Sequence, residues 1–82
     1  MAARWSRPYH GVSHLEGIGD RHQVTIEDHG MVVEAYVLDR NSHRPFTPVA
    51  QFVGASVQRV KDWAEGQAIA LGLLGTPEGA VD

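Results

Sequence analysis

The sequence predicts an α+β domain: a small antiparallel β-meander of three to four strands packed against one C-terminal amphipathic helix. Three features carry this expectation. Two β-rich runs flank a tight turn at His29-Gly30, a helical period of apolar residues follows Ser56, and 82 residues leave room for one domain only. The domain spans 1–82, with its core at about 9–74, an irregular N-terminal segment 1–8 and a loosely held tail 75–82.

The first twenty residues read as an approach with one edge strand around Tyr9 to Leu15, between Pro8 and the turn-rich Gly17-Ile18-Gly19-Asp20. His22 to Asp28 and Met31 to Asp39 then form a hairpin. A two-residue loop at His29-Gly30 pairs Asp28 with Met31, Ile26 with Val33 and Val24 with Ala35, and it sends Glu27, Val32, Thr25, Glu34, Gln23 and Tyr36 to the other face. His29 in a left-handed conformation is unfavourable, which leaves a longer loop open as an alternative. His22 falls at the rim of the core, opposite Val37.

Phe46 to Val53 supplies the next strand, paired over Val49 to Val53 because Pro48 cannot donate to a ladder. Ser56 is placed to cap a helix. At about 100° per residue, Val57, Val60, Trp63, Ala64, Ala68, Leu71 and Leu74 share one stripe, which should cover the Val24/Ile26/Val33/Ala35/Val37 face of the sheet. Ile69 and Leu73 fall toward the polar side unless the helix ends near Gly72, or earlier at Gly66. They are the candidates for a self-association patch and a homodimer.

The formal charge of −3 argues against a chain that coats phosphate, because that affinity comes from clustered Lys and Arg. Six of the seven basic residues are arginine, which fits either a GC-rich coding source or planar contacts at an interface. With no cysteine, disulfides and thiolate metal sites are excluded and a cytoplasmic location is expected. No apolar run reaches the roughly 20 residues of a membrane span, so no membrane partner is expected.

Five histidines invite a metal, His10 and His14 above all, but on a strand a spacing of four separates them by roughly 13 Å. No metal or cofactor is therefore expected. Ser13, Ser42 and Ser56 lie in no nucleophile-elbow context, and Gly17-Ile18-Gly19 lacks the third glycine and following helix of a phosphate loop. These absences point to a binding protein rather than an enzyme.

The informative residues are those left on the second face of the hairpin. Glu27, Val32, Glu34, Tyr36 and Leu38 combine an aromatic and aliphatics with carboxylates, the composition of an interface. Two readings stay open: a surface for a macromolecular partner, or a face covered by the N-terminal segment through Trp5, Tyr9, Val12 and Leu15. A three-stranded sheet plus helix is also the plan of plant-type and integrase-arm DNA-binding domains, in which Arg4, Arg7, Arg40 and Arg44 would contact DNA. Here Glu27 and Glu34 stand on the face that would enter the groove.

From Val24 through Trp63 the chain resembles small phage-borne α/β proteins that include anti-CRISPR inhibitors. The shared plan is a hairpin around Glu27-Asp28-His29-Gly30, a strand running through Phe52 to Ser56, and a helix with an early Trp63. The resemblance covers about half of the chain. It implies a non-enzymatic protein in a bacterial or phage-infected cell that docks on a nucleoprotein complex and blocks nucleic-acid entry or nuclease recruitment.

Overall fold

A computed structural model describes residues 3–44 and 47–74 of the chain. Four strands, β1 (Val12–His14), β2 (His22–Asp28), β3 (Val33–Asp39) and β4 (Ala50–Gly54), precede one helix, α1 (Val57–Ala70). The strands form one antiparallel sheet in chain order, and α1 packs on one side of it against β2, β3 and β4. This is the meander-and-helix architecture expected from the sequence. The tail 75–82 and Phe46 lie outside the described residues.

Alternation along the strands builds the core. Leu15, Val24, Ile26, Val33, Ala35 and Val37 from the sheet meet Val60, Ala64 and Ala68 from α1, all buried. Each fully buried valine or leucine contributes roughly 1.5–3 kcal/mol by removal from water. The small Ala64 and Ala68 let the helix lie close. Gly54 does the same from β4: a methyl group at that position would stand 2.9 Å from Val60 Cγ2 and 3.2 Å from the Phe52 ring. Phe52 and Trp63 stack beside this contact, with centroids 5.4 Å apart and planes at 16°.

The hairpin register departs from the expected one by two residues. Ile26 pairs with Ala35, Val24 with Val37, Glu27 with Glu34 and Thr25 with Tyr36, while His22 faces Asp39 instead of Val37. The tight turn is Gly30-Met31, closed by a hydrogen bond from His29 N–H to the Val32 carbonyl at 2.9 Å. The cause is local. A primed hairpin turn needs positive φ at its first central residue, and Gly30 adopts +89° where His29 would be strained. The offset is even, so each residue keeps its expected face.

Both ends of α1 carry satisfied caps. Ser56 Oγ accepts from Arg59 N–H at 3.1 Å, as the sequence indicated. At the other end the helix stops at Ala70. Gly72 N–H donates to the Ile69 carbonyl and Leu73 N–H to the Ala68 carbonyl, the paired bonds of a Schellman motif. The helix therefore runs through Gly66, and Leu73 folds back half-buried against the core instead of projecting toward the polar side. Two residues expected on the buried stripe stand outward: Val57 is 36% exposed and Leu71 46%.

The N-terminal segment is more regular than expected. Tyr9 and Val12 exchange backbone hydrogen bonds around His10-Gly11, both at positive φ, so the chain doubles back on itself. Residues before the turn then pair along the outer edge of β1: Ser6 N–H donates to His14 and Glu16 N–H to Arg4, with Trp5 opposite Leu15. Trp5 points to the helix side, where its Nε1–H donates to Glu65 at 2.8 Å and Lys61 Nζ lies 5.7 Å from its ring.

Candidate interaction face

Strand alternation sets Val12 and His14 of β1, Gln23, Thr25 and Glu27 of β2, Glu34, Tyr36 and Leu38 of β3, and Gln51 and Val53 of β4 on the side of the sheet away from α1. Trp5 and Leu15 pack on the helix side, and Tyr9 is 76% exposed in its turn. Among the described residues no helix or strand lies across this face.

A hydrogen-bonded polar row occupies its middle. Thr25 is fully buried between its neighbours. Its hydroxyl accepts from Gln23 Nε2 at 3.2 Å and lies 3.0 Å from His14 Nδ1, an arrangement satisfied when the hydroxyl donates to Nδ1 and a neutral ring carries its proton on Nε2. Beside it Tyr36 donates its O–H to Glu27 Oε2 at 2.8 Å. Desolvation is the largest cause raising the Tyr36 phenol above its ordinary value of 10.0, followed by the hydrogen bond to Glu27.

Glu27 stands directly opposite Glu34 across the ladder. Facing like charges are unfavourable, and among the described residues no Lys or Arg stands on this face to offset them. Besides the Tyr36 hydroxyl on Oε2, Glu27 has His29 beside it, whose Nε2 lies 3.4 Å from Oε1. One ligand atom each from Glu27, His29 and Glu34 lies within 4.8 Å of the others, which makes these three the residues of the face suited to hold a divalent cation. His10 and His14, the pair weighed from the sequence, are engaged in a turn and with Thr25.

Next to the carboxylates a depression of about 300 Å³ is lined by Glu34, Tyr36, Leu38, Pro48 and Gln51. Four of the five residues singled out in the sequence, Glu27, Glu34, Tyr36 and Leu38, are thus contiguous. Val32 borders the turn at 45% exposure. Gln51 and Val53 were missed, although alternation within Val49 to Val53 places them beside Tyr36 and Glu34. A second depression of about 290 Å³ is lined by residues including His14, Gly17, Gly19, His22 and Arg40. It adjoins His22, whose Nδ1 is buried without a hydrogen-bond partner.

The arginines do not gather on the face. Arg4 and Arg7 belong to the segment outside β1, Arg40 follows β3, Arg44 lies in the connection to β4, and all four are exposed. Of the serines, Ser56 caps α1, Ser42 Oγ accepts from Arg44 N–H at 3.1 Å, and Ser13 is buried. No helix among the described residues is long and apolar enough to cross a membrane. Compared with protein-family models, curated proteins and solved structures, the chain gives no significant match.

Proposed function

We propose that this protein is a non-enzymatic binding protein whose open sheet face docks on a protein or nucleoprotein complex and acts as an inhibitor, blocking nucleic-acid entry or nuclease recruitment. One observation carries the reading: Glu27 and Glu34 face each other beside the Tyr36/Leu38 depression with no lysine or arginine among the described residues of the face to neutralise them. A partner that presents an arginine or lysine next to an apolar knob meets both features at once. Its guanidinium or ammonium relieves the facing carboxylates, and the knob fills the depression. The phage-borne inhibitors that the sequence resembles supply the class of target.

The alternative is a sheet-type DNA-binding module. It requires phosphate to approach two carboxylates, with Arg4, Arg7, Arg40 and Arg44 placed off the face. Two measurements separate the readings. In cleavage assays with a panel of RNA-guided nucleases, the wild type should inhibit, and Tyr36→Ala with Leu38→Ala should lose inhibition at least tenfold, on the order of 1–2 kcal/mol of contact. In gel shifts with bare duplex DNA, tight and steeply salt-dependent binding would overturn the proposal and favour the DNA-binding reading.

A further inference from the structure

The register of the central hairpin assembles donors that the sequence keeps apart. With Gly30-Met31 as the turn, Glu27 stands opposite Glu34, whereas a turn at His29-Gly30 would set it opposite Val32. His29 lies two residues beyond Glu27 and so projects to the same side of the hairpin. Two half-buried carboxylates and an exposed imidazole thereby meet at the turn end of the open face.

Distances decide what these groups can hold. A zinc ion bound tetrahedrally at about 2.0–2.1 Å keeps its ligand atoms about 3.4 Å from one another. Glu27 Oε1 and His29 Nε2 already stand 3.4 Å apart, and the ligand atoms of all three residues lie within 4.8 Å of one another. Closing the remainder is within the rotamer freedom of a half-buried glutamate. Orientation comes from outside the set: Tyr36 O–H donates to Glu27 Oε2 at 2.8 Å, which leaves Oε1 turned to His29. Charge points the same way. The opposed carboxylates repel, with no lysine or arginine among the described residues of the face, and a divalent cation between them turns that repulsion into attraction. The imidazole selects the class of ion. Calcium and magnesium take oxygen ligands, whereas a neutral imidazole joined by carboxylates suits zinc.

We propose that Glu27, His29 and Glu34 form a zinc site, with one oxygen from each carboxylate, Nε2 of a neutral His29 and water in the fourth position. The ion clasps β2 to β3 next to their turn. Zinc and the cationic group of a docking partner draw on the same two carboxylates, so the site is measured on the protein alone, and its failure leaves the docking reading standing.

Isothermal titration calorimetry of the full chain with Zn2+ should give one ion per chain, and Tm should rise by several degrees as the site fills. Mg2+ and Ca2+ should bind roughly tenfold more weakly or worse. His29→Gln and Glu34→Gln should each weaken zinc binding by roughly tenfold or more and abolish the rise in Tm. Without zinc, Glu34→Gln should melt no lower than the wild type, because it removes the facing like charge, and this separates loss of the site from loss of the fold. His43→Gln, which alters an exposed histidine in the connection between β3 and β4, should bind zinc as the wild type does. A wild type that takes up no zinc, or His29→Gln and Glu34→Gln variants that bind it as tightly, overturns the proposal. Loss of binding in His43→Gln overturns the assignment to this face, and equal affinity for Mg2+ overturns the class of ion.

Discussion

Tyr36 and Gly54 show how single residues are held by neighbours distant in sequence. Tyr36 donates to Glu27 from the opposite strand while its ring borders the depression with Leu38. Desolvation and the carboxylate both favour the protonated phenol. A raised pKa of this kind stabilises the fold below the unfolded value, and the contribution is lost as pH rises through the folded value. In a Tyr9→Phe background, which leaves one tyrosine, phenolate absorbance should therefore show a midpoint above 10.0, and adding Glu27→Gln should lower it. Gly54 is a packing requirement. Gly54→Ala brings a methyl group against Val60 and Phe52 and should cost about 1–3 kcal/mol in urea unfolding, with an unchanged denaturant slope.

The turn between β2 and β3 sets the register of the sheet's central hairpin. Gly30 at φ +89° begins the two-residue loop, and Met31, 91% exposed, completes it. Gly30→Ala forces a side chain into that conformation and should destabilise the domain by about 1–2 kcal/mol, measured by chemical denaturation. The far end of the same hairpin is tied by Arg21, which donates from Nε and one terminal nitrogen to the two Asp39 oxygens at 3.2 Å each. That contact and the Asn41 backbone N–H hold the Asp39 carboxyl below its ordinary value. Its contribution is present above the unfolded pKa and fades as pH falls through the folded one. In α1 the Schellman bonds at Gly72 turn Leu73 onto the core. Half-buried there, Leu73 is engaged with its own domain.

For the molecule as a whole, the separation of core face from open face is the arrangement on which the proposed binding depends. The core lies between α1 and one side of the sheet, so truncating the opposite side should spare it. Tyr36→Ala with Leu38→Ala should change Tm by only a few degrees while removing inhibition. A collapse of Tm would place these residues among those that hold the fold together.

Local patterns in the sequence determine much of this protein. Alternation over His22–Asp28 and Val33–Asp39 assigns each residue to a face, because a strand's side chains have a period of two whatever its partner. The hydroxyl of Ser56 and the 3.6-residue stripe mark where the helix starts and which residues it buries, Val57 and Leu71 excepted. Only the tertiary structure decides the rest. The pairing of Glu27 with Glu34 depends on whether His29 or Gly30 opens the turn, and two even registers satisfy the same face pattern. That Trp5 crosses to the helix side follows from a hydrogen bond to Glu65, sixty residues away, and no local periodicity encodes such a contact. Which residues share the Tyr36 face and which strands form the edges is likewise a property of the assembled sheet, since a face and an edge exist only once the order of the strands is settled.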